Sequence, residues 1–284
     1  MSTTSLFKSP AGERAIMAIY ESVLASWPVP YDTLNIPTRH GNTFVIASGE
    51  PSAPPLILLH GAGSNSAVWA GDVAEYAGQH RVYAVDLIGE PGKSAPNRPD
   101  WDGPAFALWL DDVLGALKLE KATLIGVSQG AWTALKFATY QPERVEKLVL
   151  LCPGGVTPDR LSFLIRVMLL SPLGRWGIQR INQLLFGDQP VPEELNDFLT
   201  LIFKQFKSRM GILPLFSDEE LCRLTMPTLL LIGAADPLRD AEKIVARMQG
   251  LLPHLTAAVI PGAGHVLLYT TGRIVPFLAH GNGA

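Results

Sequence analysis

Cysteine is nearly missing from this chain: Cys152 and Cys222 are the only two among 284 residues. Two isolated thiols build no disulfide framework and no zinc ribbon. No His-x-x-x-His pair occurs, and no Gly-x-Gly-x-x-Gly opens a strand–helix unit, so neither a metal nor a nucleotide cofactor is expected. A surplus of positive charge is also lacking. Lys and Arg number 23 against 26 Asp and Glu, and no basic tract stands out, which argues against a nucleic-acid partner. Nothing reaches the roughly 18 uninterrupted apolar residues of a membrane span. The first ten residues carry no apolar stretch ahead of Pro10. Neither a membrane span nor a secretory leader is therefore expected, and the cytoplasm is the expected location. Internal repeats and low-complexity tracts are absent as well.

What the chain does have is apolar bulk. Hydrophobic residues make up 48%, enough for the core of one large domain, or of one domain carrying an insertion. An amphipathic segment over 11–27 reads as a leading surface helix. Residues 31–37 and 43–47 alternate like strands on either side of a turn at 39–42. Short continuous apolar runs follow at 56–59, 82–85, 123–127 and 145–151, the pattern of strands buried on both faces of a parallel sheet. Helical stretches at 68–77, 105–117 and 129–140 separate them. The alternation stops at Gly154 and resumes at 228–232, continuing with a helix over 241–248, a strand over 256–260 and a last helix over 266–279. Between the two blocks lie apolar helical segments at 161–170 and 195–206, punctuated by Pro158, Pro172, Pro190, Pro192 and Pro214. This stretch is too long for a plain loop in a compact domain. It is expected to be an inserted helical cap over 157–220, dividing an α/β core into 1–156, with the leading helix, and 221–284. A helical layer against the sheet edge, without a role in binding, is the alternative.

The chemistry is concentrated in a few loops. Gly126-Val-Ser128-Gln129-Gly130 lies between an apolar strand and a helix. This G-x-S-x-G arrangement puts a serine on a sharp turn, where its hydroxyl is exposed to a base. Asp236 follows the strand at 228–232, where a carboxylate would stand at the binding edge of an open sheet. Asp240, close by, reads as a first-turn capping charge. His265 follows Pro261-Gly-Ala-Gly264 after the last strand. His40, His80 and His254 sit before strands or in the early turn, and His280 in the tail, so a single histidine fits the role of base. Gly92-Lys93-Ser94 echoes the end of a P-loop, but Leu87 stands where that motif requires glycine.

These motifs resemble the α/β-hydrolase superfamily over most of the chain. They are Gly126-Val-Ser-Gln-Gly130, Leu-Leu-His60-Gly61, Asp86-Leu-Ile-Gly89, Leu-Ile-Gly233-Ala-Ala-Asp236-Pro and Pro261-Gly-Ala-Gly-His265, in that family's order. The resemblance implies an α/β fold, a mostly parallel central sheet flanked by helices with an inserted helical cap. It implies Ser128 as nucleophile, Asp236 as acid and His265 as base, with the backbone N–H groups of Ala62 and Gln129 forming the oxyanion hole. His60 would brace its loop. Where the family has one residue between two glycines, this chain has Glu90 and Pro91, a longer loop expected to alter the pocket rim. The implied activity is cleavage of small to medium, largely apolar carboxylic esters through an acyl-serine. Thioesterases, lactonases, carbon–carbon bond hydrolases, perhydrolases and lyases share the machinery, and a catalytically silent binding module is a further alternative. Ser128 argues against relatives that use an aspartate nucleophile. Cap residues Leu161, Phe163, Leu164, Met168, Leu169, Trp176, Leu185, Phe186, Phe198, Leu201, Phe203, Phe206 and Met210 are expected to divide between core packing and the substrate pocket. Trp69 and Trp132 would join the pocket if their rings reach it.

Overall fold

A computed structural model describes residues 5–209 and 211–279, so Met210 and His280 lie outside the described residues. Among the described residues, eight strands form one sheet in the order β1-β2-β4-β3-β5-β6-β7-β8. β1 (Tyr31–Thr38) and β2 (Gly41–Ser48) are an antiparallel hairpin. Its tight turn at Arg39 and His40 exits through Gly41 at φ +102°, a conformation that glycine adopts without strain. β2 pairs antiparallel with β4 (Arg81–Val85). Every later pairing is parallel, through β3 (Pro55–Leu59), β5 (Ala122–Val127), β6 (Val145–Leu151), β7 (Thr228–Gly233) and β8 (Leu255–Ile260).

The continuous apolar runs explain the parallel centre. Leu56, Ile57, Leu58 and Leu59 are all fully buried, as are Leu148, Val149 and Leu150, because helices cover both faces. On one face lie α3 (Ala105–Ala116), α4 (Gln129–Tyr140) and α9 (Ala241–Leu251). On the other lie α1 (Pro10–Ala25), α2 (Val73–Ala77) and α10 (Thr271–Ala279). Trp132 and Trp69 are buried in these two layers, one in each.

Two helices are shorter than their periodicity suggests. Over 68–77 the chain forms a 3₁₀ turn, Ser66–Gly71, before α2. Asn65 caps that turn by accepting the Ala67 N–H, and Gly71 interrupts the helix. The last helix starts at Thr271 and not at 266, because the Val266 carbonyl, which such a helix would offer to the Thr270 N–H, accepts Gln189 Nε2, and Tyr269 stands in the left-handed region at φ 58°.

Residues after β6 form α5 (Leu161–Leu170), α6 (Gly174–Phe186), α7 (Glu193–Gln205) and the short α8 (Asp218–Leu221), a helical insertion consistent with a cap. α6, which the sequence pattern did not single out, approaches α5 closely at Gly177, where a Cβ would strike the Leu170 carbonyl. The insertion is anchored on two sides. Phe198, Ile202 and Phe206 share a third core with Leu6, Phe7 and Ile16. The end of α6 bonds to the loop after β8: Gly264 N–H donates to Phe186 O, Val266 N–H to Leu185 O, and Asp188 N–H to Gly262 O.

Candidate active site

β3 lies between β4 and β5, so the chain leaves β3 toward one side of the sheet and β5 belongs to the other. At such a switch point the loops after the strands part at the carboxyl edge and leave a crevice. The loops from His60 and Ser128 both open there. Ser128 follows β5 and takes the N-cap position of α4 at φ 53°, ψ −107°, a strained setting for a residue with a side chain. Close packing holds it. A Cβ at Gly126 would lie 2.5 Å from Ala131 N, and one at Gly130 would collide with the Leu59 carbonyl. The Ser128 N–H donates to Leu151 O on β6 at 2.8 Å.

Three loops deliver one hydrogen-bonded chain. His265 Nε2 lies 2.9 Å from Ser128 Oγ, and His265 Nδ1 lies 2.8 Å from Asp236 Oδ2. Ser128 and His265 stand 137 positions apart in the chain, and folding alone brings them together. The second carboxylate oxygen of Asp236 accepts the N–H groups of Leu238 and Arg239, so this residue caps a turn as well as orienting the imidazole. Burial opposes its charge. His265, Arg239 and the donated hydrogen bonds outweigh that opposition and hold Asp236 below the usual carboxylate range. The arrangement gives the imidazole a fixed orientation, a carboxylate to stabilise its protonated form, and a hydroxyl to deprotonate.

Asp240 caps α9 through the Lys243 N–H and stays outside this chain of bonds. Among the described residues, none of His40, His80 and His254 bonds to Ser128 or Asp236. His60 is fully buried, and its Nε2 accepts the Leu87 N–H at 2.9 Å, which makes it a brace. Burial lowers its pKa and keeps it neutral. The P-loop echo is closed on itself. The Lys93 N–H and the Ser94 hydroxyl bond to the Asp86 side chain and carbonyl, so a carboxylate of the protein already occupies that turn. Asp86 also accepts the Tyr20 hydroxyl, tying α1 to the site's floor.

Two charged residues here escaped the sequence reading. Glu90 does not line a rim. It is buried, with Oε2 accepting the Gly63 N–H at 2.7 Å and Oε1 accepting Gln129 Nε2 at 3.2 Å. It therefore links the loop after His60 to the residue after Ser128. Burial pushes its pKa up to about 7, against those two hydrogen bonds and the charges of Arg98 and Arg209. The visible signal was its position, a lone acid between Gly89 and Gly92 beyond a buried strand. Arg239 is 3% exposed. Its Nη1 lies 3.4 Å from both Ser128 Oγ and His265 Nε2 and donates to the Cys152 carbonyl, while its Nε bonds Asp159 at 3.2 Å. In the sequence it stands unmarked between the motif around Asp236 and the capping Asp240. Cys152 brings its sulfur near Asp236 and His265, the three ligand-capable atoms lying within 4.8 Å. Asp236 and His265 bond each other, and burial pushes the thiol up, so it stays protonated.

A family model described as the alpha/beta hydrolase family matches residues 56–275, from β3 through most of α10. The chain belongs to the alpha/beta hydrolase family. It is 34% identical over 272 residues to a Bacillus subtilis (strain 168) protein called uncharacterized carboxylesterase nap, covering 91% of this chain and 90% of that one. The solved structure of carboxylesterase CesB (YbfK) from Bacillus subtilis superposes with a TM-score of 0.84 at 30% identity, covering 96% of this chain and all of that one. That of naproxen esterase (carboxylesterase NP) from the same organism gives 0.84 at 31% identity, over 95% of this chain and 99% of the other. The Ser128–His265–Asp236 network in this alpha/beta hydrolase matches a serine-hydrolase triad acting on esters, and the chain is carboxylesterase-like.

Proposed function

We propose that this protein hydrolyses carboxylic esters of small to medium, largely apolar substrates through an acyl-serine. The single observation carrying the reading is the unbroken bond chain Ser128 Oγ, His265 Nε2, His265 Nδ1, Asp236 Oδ2. In this reading His265 takes the Ser128 proton as Oγ attacks the ester carbonyl carbon. The tetrahedral oxyanion is held by the N–H groups of Ala62 and Gln129. Neither N–H donates to another group among the described residues, whereas Gly63 N–H is spent on Glu90. The imidazolium passes its proton to the departing alkoxide, leaving the acyl-serine and the free alcohol. Water then attacks the acyl carbon, His265 takes its proton, and the acid leaves as Ser128 recovers a proton. Similarity to proteins named as carboxylesterases supports an ester over the other bonds this machinery cleaves. The segment over 157–220 is the cap that selects the substrate, set on a core made of 1–156 and 221–284. Unpaired Cys152 and Cys222 agree with a reducing cytoplasm.

Covalent labelling by a fluorophosphonate probe tests the reading, followed by turnover of p-nitrophenyl esters of increasing acyl length. Wild-type protein is expected to label at Ser128 and to turn over the short and medium esters. Ser128→Ala is expected to lose both, with hydrolysis down about 10⁴-fold or more. Labelling elsewhere, or hydrolysis that survives the substitution, ends the serine-hydrolase assignment.

A further inference from the structure

The insertion carries its hydrophobic residues on the wrong side for a core helix. α5 contains no buried residue. Phe163, Val167 and Leu170, one turn apart, are its half-buried positions. The opposite face presents Leu161, Leu164, Ile165, Met168 and Leu169, each between 51% and 69% exposed. Past the bend, Leu173 at 54% and Trp176 at 57% are exposed as well. So many exposed large apolar residues within one helical pair are a contact surface in waiting.

We propose that the α5–α6 face docks on an anionic lipid surface and lies in its headgroup layer. Charge identifies the occupant. Between Asp159 and Asp188 there are four arginines, at 160, 166, 175 and 180, and no acid, in a chain whose net charge is −3. Arg166 falls on the shoulder of α5 between its packed and exposed faces. Arg166 and Arg180 are exposed and make no ion pair among the described residues. Apolar stripe, tryptophan and flanking arginines together are the composition of a helix that lies at a lipid interface. A second copy of this chain fits less well. A twofold contact sets a patch against itself, so it would gather two sets of the same arginines in one interface, with no acid between Asp159 and Asp188 to offset them.

The geometry favours lying on the surface over crossing it. Residues Leu161–Phe186 are long and apolar enough for a span by length and composition. The run is broken, however, by a 3₁₀ turn at Ser171–Leu173 and by Gly174 at φ 62°, and α5 folds back to pack on α6. α5 alone is about 15 Å long and α6 about 20 Å, against about 30 Å of hydrocarbon. The two residues that lead into α5 are tied to the surroundings of the triad. Asp159 bonds Arg239, and Arg160 Nη1 donates to the Asp236 carbonyl at 3.3 Å. A lipid surface held there would present esters dissolved in it beside Ser128.

Flotation with vesicles of phosphatidylcholine, and with equal parts phosphatidylcholine and phosphatidylglycerol, tests this directly. The protein is expected to float with the anionic vesicles only, and less as salt rises. Leu164→Ser with Met168→Ser, and separately Arg166→Glu with Arg180→Glu, are each expected to weaken binding at least about tenfold. These side chains are exposed, so unchanged melting temperatures would show the variants folded. Flotation reads docking without turnover, so its result is separate from that of the ester assays. No flotation, or equal flotation with neutral vesicles, overturns the proposal. So does a dimer in sedimentation velocity that Leu164→Ser with Met168→Ser dissociates, which would give the face to a second copy.

Discussion

Glu90 shows how much a single carboxylate can hold together. It accepts from the loop that follows His60 and from the side chain that follows Ser128, and it does so in a place where its charge is costly. Folding raises its pKa from 4.5 to about 7, so the native state prefers the protonated form. That contribution to stability is complete below the unfolded value and is lost as the pH rises through the folded one. Glu90→Gln cannot ionise. Its stability relative to wild type is expected to rise between about pH 4.5 and pH 8, by up to about 3 kcal/mol. Urea unfolding of both proteins at the two ends of that window measures it. Any constant loss from the altered hydrogen bonds cancels in the comparison. Ser128, Asp236 and His265 were legible because each sits in a short motif at the end of a strand. Glu90 and Arg239 were not, because their roles depend on partners 27 and 39, or 111 and 26, positions away.

At the scale of elements, the strands were the most legible part, since a buried parallel strand needs a short unbroken apolar run and little else does. Helix starts were less so. The stretch after His265 has helical periodicity, yet its first carbonyl is drawn to the inserted segment and Tyr269 turns left-handed at φ 58°. Gln189 is the clamp: Nε2 donates to Val266 O at 2.7 Å, and Oε1 accepts the Leu268 N–H at 2.9 Å. With Leu185 and Phe186 it fixes the backbone on both sides of His265 from within the cap. Gln189→Ala is expected to lower kcat about tenfold with a smaller change in KM, because a base displaced by a fraction of an ångström loses its alignment with Oγ. Steady-state kinetics with a p-nitrophenyl ester separate the two constants. A cost of about 1–3 kcal/mol in thermal or urea unfolding should accompany it, as two backbone groups lose their partners.

At the scale of the molecule, three cores among the described residues divide the work. Two lie on the faces of the sheet, and the third joins the segment around Phe7 to α7 of the insertion. Lys8 N–H donates to Gln205 O and Lys207 N–H to Leu6 O, so the start of the chain is stitched to the cap. Phe206 is the centre of that join, 2% exposed and edge-on to Phe7 at 6.2 Å between ring centres. Phe206→Ala is expected to destabilise the protein by about 3–5 kcal/mol, read by chemical denaturation. The amino-acid sequence by itself determined the sheet, the order of nucleophile, acid and base, and the presence of helical material between β6 and β7. Those properties are local: a run of side chains, a turn too tight for a Cβ, a residue at a strand end. Only the tertiary structure decided that Glu90 is a buried strut, that Arg239 stands beside the nucleophile, that the cap grips the histidine loop, and that α5 turns its leucines outward. Each of these depends on which surfaces meet across long separations in the chain. Hydrophobic periodicity says that a helix has an apolar face but not whether protein or another phase covers it.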